Sequence, residues 1–344
     1  MLHSIAVHRS RSGRVSFAFG CDDGAMSTLD PTAADPAAAM PADWAARWDA
    51  LLQARRAAPA AADPDGLASL ASLASLASPA SPTSPAGHAS PASAAWLDLY
   101  QPLLDARQAP AGSDARPWVL AQLGQSLDGC VATAAGDSYF VTGAQSLLHL
   151  HRLRALCDAV LVGAGTVAVD DPQLTTRHVP GPHPVRVVLD PAARLDGSAR
   201  VLRDGAAPTL WLCDGRHAAA ARARLPAGTA EVLSVDGLLD AAEPTRGPHL
   251  ARAFTALAAR GLSVLLVEGG GVTVTRCLQA GLLDRLHLVI APVIIGAGRR
   301  GLQHPGPARM ADCLRPPTRR LALGEDMLWD LDLRGPTTGA ALPG

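Results

Sequence analysis

Residues 264–284, VLLVEGGGVTVTRCLQAGLLD, decide the fold. An apolar run ends at Glu268, three glycines follow (Gly269, Gly270, Gly271), and a helix is predicted at once, over 271–280. A hydrophobic strand that passes through glycines into a helix is the unit from which parallel α/β sheets are built. Glycines let a backbone approach a phosphate closely, and a helix N-terminus offers unpaired N–H donors and partial positive charge. The spacing is not G-x-G-x-x-G, so the ordinary dinucleotide fingerprint is absent. A tight turn with no ligand is the competing reading. Glu268 weighs against it, because a carboxylate at a buried strand end is costly without a partner.

The same texture extends to both sides. WVLAQL (118–123), AVLVG (159–163), VRVVLD (185–190), TLWLC (209–213), AEVLSV (230–235), SVLLVE (263–268) and RLHLVIAPVII (285–295) read as strands. Helices fit 146–157, where Leu147, Leu150, Leu153 and Leu156 form an apolar side, and also 216–224 and 249–260. Short apolar runs alternating with helical stretches predict an α/β domain over 116–335, with a largely parallel sheet covered on both faces. RRLALG and MLWDLDL lie close together near the end and predict an antiparallel edge hairpin.

Residues 1–115 are different. PADWAARWDALLQARR (41–56) puts Trp44, Trp48, Leu51 and Leu52 at helical spacing. Residues 57–95 are rich in Ala, Ser and Pro, with LASLASLASLAS at 67–78; a period of three suits neither helix face nor strand, so a linker is expected. AWLDLYQPLLDAR (95–107) offers Trp96, Leu99, Leu103 and Leu104 for docking, and Pro102 predicts two short helical pieces. Residues 336–344 read as a disordered tail. Residues 1–20, with Arg9, Arg11, Arg14 and no acid, are like a faint organellar presequence. A true start at Met26 or Met40 is the preferred reading.

Composition narrows the chemistry. All 30 basic residues are arginine against 31 acids, a balance with no electrostatic footprint for nucleic acid. No run approaches the roughly 18 apolar residues of a membrane span, so no membrane partner is expected. Without lysine there is no Schiff-base, P-loop or kinase-type lysine. The six cysteines stand singly, which fits small core hydrophobes in a reducing, cytoplasmic setting.

In open α/β sheets ligands bind beyond the carboxyl ends of the strands, and three further strand ends carry polar residues. GQSLDG (124–129) supplies Ser126 and Asp128, or simply an Asp-Gly turn. VGAGTVAVDDPQLTTR (162–177) supplies Thr166, Asp170, Asp171 and Arg177, with no third ligand to make the two acids a metal site. HLHRLRAL (149–156) presents Arg154; His149 and His151, two apart, do not share a helix face. Arg154 and Arg177 together point to capture of a phosphate monoester.

Six blocks occur in order: LGQSLDG (123–129), GDSYFVTG (136–143), the stretch 150–177, VRVVLD, LLVEGGG (265–271) and LLDRLHLVIAPVIIG (282–296). Together they resemble the pyrimidine reductase domain of riboflavin biosynthesis. The resemblance implies a dihydrofolate-reductase-like fold and NADPH as cofactor. It implies reduction of the ribosyl side chain of 5-amino-6-(ribosylamino)uracil 5′-phosphate to ribityl, in a cytoplasmic homodimer without a metal. Carried over by motif, the cofactor contacts Gly124, Phe140, Thr166, Asp170, Gly270, Gly271, Val272, Thr273, Val274, Thr275 and Arg276. The substrate contacts Ser138, Arg154, Leu174, Arg177 and Glu268, the arginines on its phosphate side, and Asp128 orients the loop beside the nicotinamide as a candidate catalytic residue. Two positions depart from the family: Gln122 stands where a lysine is usual, and Phe140 where a tryptophan is common. The deaminase motifs H-x-E and P-C-x-x-C, often fused ahead of such a reductase, do not occur in this sequence. A reductase of another heterocycle and a non-catalytic binding module on the same fold are the alternatives.

Overall fold

The computed structural model describes residues 6–9, 15–18, 41–57, 91–108, 116–139, 141–240 and 247–335. The expected tail, residues 58–90 of the expected linker, and Phe140 lie outside them. The chain divides into two units, Met1–Ala39 and Met40–Gly344. In the first, β1 (Ala6–Arg9) pairs antiparallel with β2 (Val15–Ala18), a hairpin the sequence reading did not assign.

The second unit opens with α1 (Trp44–Ala57) and α2 (Pro91–Gln108). Then follow β3 (Trp118–Ser126), β4 (Cys130–Ala132), α3 (Ala144–Leu156), β5 (Ala159–Gly163) and α4 (Ala164–Asp170). The middle comprises β6 (Val185–Leu189), α5 (Arg200–Arg203), β7 (Thr209–Asp214), α6 (Ala218–Arg224) and β8 (Glu231–Val235). The last third holds α7 (Leu250–Ala258), β9 (Val264–Glu268), α8 (Gly271–Gln279), β10 (Arg285–Ala291), β11 (Arg299–Arg300), β12 (Thr318–Leu323) and β13 (Asp326–Asp332).

Nine strands form one sheet in the order β12-β13-β10-β3-β9-β5-β6-β7-β8. From β10 to β8 every neighbouring pair is parallel, and β13 joins antiparallel to β10 with β12 antiparallel outside it. This is the α/β, dihydrofolate-reductase-like architecture the sequence predicts, with its antiparallel edge hairpin. The main correction among the strands is β10, which stops at Ala291 rather than 295. The short pair β4–β11 stands apart from the sheet.

Alternation along the strands feeds two cores. On one face Leu120, Val160, Val188, Leu266 and Val289 meet α3 and the aromatic side of α1 and α2. On the other, Val119, Leu161, Val187, Leu265 and Val267 meet α7 and α8 through Phe254, Leu257, Val274 and Cys277. Each such side chain, wholly buried, contributes about 1.5–3 kcal/mol.

Two helices differ from the sequence reading. Pro102 does not divide its segment, and α2 runs unbroken for 18 residues. The carbonyl a proline orphans is that of residue i−4; here it is Asp98 O, which accepts a hydrogen bond from Arg319 Nη2 at 2.7 Å. In α3 the expected leucine stripe is incomplete, for Leu147 is 42% exposed while His149, His151, Arg152 and Arg154 are buried. The helix is sandwiched between the sheet and α1–α2, so its polar side chains are enclosed as well, each beside a polar or aromatic group.

Candidate functional site

The chain returns after β8 to insert β9 between β3 and β5, and a cavity of about 1020 Å³ opens at the carboxyl ends of β3, β5, β6 and β9. The glycine turn forms one wall. Gly269 has φ +107°, a backbone open to glycine at little cost, and a Cβ there would lie 3.0 Å from Thr166 Oγ1. Thr166 Oγ1 accepts the Gly270 N–H at 3.1 Å, Thr273 N donates to Gly270 O at 3.1 Å, and no side chain caps α8, so the Gly271 and Val272 amides are left for another acceptor. Gly165, also on the wall, has nothing within 4 Å of where a Cβ would stand. A glycine cradle facing uncapped helix amides fits a diphosphate-bearing cofactor.

A buried ion pair lines the same cavity. Arg154 on α3 donates from Nε to Glu268 Oε1 at 2.7 Å and from Nη2 to Oε2 at 2.6 Å, while Nη1 donates to Thr175 O at 3.1 Å. Three of its five N–H donors are so engaged, two of them on Glu268, and the guanidinium thereby holds that carboxylate, a partner the sequence reading did not assign to it.

Glu268 belongs to a polar row running across the sheet face that α3 covers. Successive Cα partners are Glu268, Gln122, His287, Asp330 and Arg319. His287 Nδ1 lies 3.1 Å from His149 Nε2, and Tyr100 Oη lies 2.8 Å from His149 Nδ1. Tyr100 donating to His149, and His149 to His287, satisfies each in turn and directs the His287 Nε2 proton toward Asp330, 3.3 Å away. Burial lowers the pKa of both imidazoles. Burial would raise Asp330, but hydrogen bonds from His287 and Arg285 outweigh it and hold the carboxyl well below its usual range.

The structure gathers most of the expected site. Gly124, Ser138, Arg154, Thr166, Asp170, Leu174, Glu268, Gly270, Gly271, Val272, Thr273 and Arg276 all line the cavity. Burial raises the carboxyl of Asp170, against the pull of Arg299. Val274 and Thr275 do not line it; Val274 turns into the core, and Thr275 Oγ1 accepts from Gln303 N at 3.0 Å. Helical periodicity places these two on the inner side of α8. Arg177 is exposed and off the wall, its Nη1 donating to Thr175 Oγ1 at 3.0 Å. Asp128 also lies off the wall. Its carboxylate accepts from Ser126 Oγ (2.5 Å), Ile295 N (3.1 Å) and Gly296 N (2.6 Å), and these bonds hold its pKa at about 2. An ionised, fully engaged carboxylate fixes one loop against another and has no proton to give.

Arg194, Arg299, Arg300 and Gln303 also line the cavity and were not anticipated. Arg299 and Arg300 arrive through the β4–β11 pair, which brings the 296–301 loop beside Gly271: a Cβ there would stand 1.9 Å from Gly301 O. The stretch GAGRRG was visible in the sequence, but pairing of so short a strand was not. Among the described residues no three His, Cys, Asp or Glu side chains converge to hold a metal, and no helix is long and apolar enough to cross a membrane.

Residues 117–320 match the family model of the RibD C-terminal domain. The 2,5-diamino-6-ribosylamino-4(3H)-pyrimidinone 5′-phosphate reductase of Methanothermobacter thermautotrophicus is 35% identical over 226 residues, 64% of this chain and 100% of that protein. Riboflavin biosynthesis protein RibD of Aquifex aeolicus is 36% identical over 184 residues, 53% of this chain and 48% of that protein. The chain thus spans about half the length of the RibD proteins it matches. Among solved structures, Acinetobacter baumannii RibD (form 1) superposes with a TM-score of 0.55 at 25% identity, over 69% of this chain and 62% of that one.

Proposed function

The chain belongs to the RibD C-terminal domain family, NADPH-dependent oxidoreductases of the pyrimidine-reductase type, and from that premise we propose that it reduces 5-amino-6-(ribosylamino)uracil 5′-phosphate to the ribityl compound. The observation that carries this reading is one cavity lined together by the glycine turn, the start of α8, Arg154 and Glu268.

When bound, NADPH would supply a hydride for C1′ of the ring-opened imine, whose nitrogen would take one proton from solvent. The first turn of α8, Thr166 and Arg276 would hold the cofactor's phosphates. Glu268, fixed at both oxygens by Arg154, keeps further lone pairs for N–H groups of the pyrimidine. Ser138 and Leu174 border the substrate side. The carboxyl ends of β3 and β5 border the space in which donor and acceptor carbons would have to meet at near-attack separation.

Purified chain mixed with NADPH and the uracil compound is expected to lose absorbance at the reduced-nicotinamide band and to release the ribityl product. A parallel reaction with the 2,5-diamino compound, the substrate class named for the Methanothermobacter relative, separates the two pyrimidines. Gln122, on the cavity wall where the family carries lysine, favours a second reading in which another heterocycle is reduced. Tight NADPH binding without turnover of either pyrimidine supports that second reading and rejects the first.

A further inference from the structure

The segment 171–177, which lines the cavity at Pro172 and Leu174, departs from ordinary backbone twice: Asp171 has φ +39° and Leu174 φ +57°. Neither is glycine, and Leu174 is 2% exposed, so a branched side chain is kept in the left-handed region inside the protein. Such a conformation persists only where its surroundings over-determine it. The surroundings here are specific. Arg186, wholly buried on β6, donates from Nη1 to Gln173 O at 3.2 Å, the carbonyl just before Leu174. Its other donors go to Thr209 Oγ1 (Nε, 2.9 Å) and to Ala207 O (Nη2, 2.9 Å), and Nη2 pairs with Asp204 at 2.7 Å. On the far side of Leu174, Arg154 Nη1 holds Thr175 O, His183 Nδ1 accepts the Thr176 N–H at 3.2 Å, and His151 Nδ1 accepts the Arg177 N–H at 3.0 Å. Arg200 N donates to Asp171 Oδ1 at 2.7 Å.

We propose that Arg186 is a positioning residue of the substrate site: it clamps Gln173 so that Leu174 stays left-handed and the 171–177 segment, with Pro172 and Leu174 on the cavity, stands preformed before substrate arrives. A guanidinium buried in a sheet is an expensive way to join strands, since a hydrophobic side chain would pack there without desolvating a charge. Only its forked donors reach the Gln173 carbonyl, Thr209 and the Ala207–Asp204 turn together. The substrate part of this proposal rests on the pyrimidine reading; the bracing part does not.

Arg186→Lys keeps the charge opposite Asp204 but loses the fork. The expected result is faster hydrogen exchange at the Thr176 and Arg177 amides in the ligand-free protein, by about tenfold, a change on the scale of one lost hydrogen bond. A similar rise, about tenfold, is expected in the KM of the pyrimidine, with the NADPH Kd within about twofold of the parent. A brace that mattered only for stability would lower the melting temperature and leave the KM alone. Leu174→Gly supplies the rescue arm, because glycine adopts the left-handed region unaided. In that background Arg186→Lys is expected to change KM by less than about twofold. An equal effect in both backgrounds, or unchanged exchange and KM, overturns the proposal. Should the lysine variant not fold, the parent decides: Thr176 and Arg177 amides protected like those of β6 support the brace, and exchange at exposed-loop rates rejects it. If the parent turns over neither pyrimidine, the substrate reading fails while the exchange arm still tests the bracing.

Discussion

At Glu268 a carboxylate meets one guanidinium with both oxygens, and the pair stands at the inner end of the cavity with each side chain almost wholly enclosed. Desolvating both charges is costly, and such a pair adds little stability over apolar replacements; its value is a carboxylate held in one orientation. His149 and His287 carry a different consequence. Burial lowers both pKa values from 6.5, so below about pH 6.5 the unfolded chain binds protons that the folded chain refuses. Their stabilisation is therefore complete above that pH and is lost on acidification, by up to about 1.4 kcal/mol per pH unit for each imidazole. Asp330, with its lowered carboxyl, adds a loss of the same sign only in the acid range beneath the usual carboxylate values. Urea unfolding at about pH 7 and about pH 5 is expected to show the midpoint falling, more steeply than in a His149→Phe, His287→Phe variant. A midpoint equal at the two pH values would show that these imidazoles are not buried neutral.

Among the elements, α2 shows best how a local rule is overruled. Pro102 in a helix interior ordinarily costs about 3 kcal/mol, partly through the carbonyl it orphans. In α2 the orphan, Asp98 O, has a partner on β12, the Arg319 guanidinium. Pro102→Ala is therefore expected to raise stability by less than about 1 kcal/mol, read by chemical denaturation. A gain near the full 3 kcal/mol would mean that Arg319 does not compensate. Strands were the legible elements: β5, β6, β7 and β9 lie where apolar runs placed them, because a strand buried on both faces offers few polar positions to blur its limits, whereas β3 runs on to Ser126 and β8, at the sheet edge, exposes Glu231 and Ser234. Helix α4, seven residues that join Thr166 and Asp170 to glycine, alanine and valine, and the two-residue β11 have no such signature. Their conformation comes from what they pack against.

For the molecule as a whole, α1 and α2 matter most. They lie outside the stretch matched by the family model, yet Trp44, Trp48, Trp96, Leu99, Tyr100 and Leu103 belong to the same core as β3, β5 and β9. Arg152 of α3 sits over the rings of Trp44 and Trp96, 5.2 and 5.3 Å from their centroids, and Arg55 donates to Leu156 O and Cys157 O at the end of α3. Trp96→Ala is expected to cost about 3–5 kcal/mol in urea unfolding, as in any core; a loss under about 0.5 kcal/mol would mark these helices as merely tethered. The sequence by itself determined the parallel sheet, its edge hairpin and the glycine turn into α8, which follow from local periodicity, and the resemblance of its contiguous motifs pointed to twelve of the residues that line the cavity. Only the tertiary structure decided that Arg154 is committed to Glu268, that Arg177 and Asp128 stand off the wall, and that a tyrosine and two histidines from three separate elements share one hydrogen-bonded chain. Partnership between side chains 49 to 138 residues apart depends on how layers stack, and no local pattern encodes that distance.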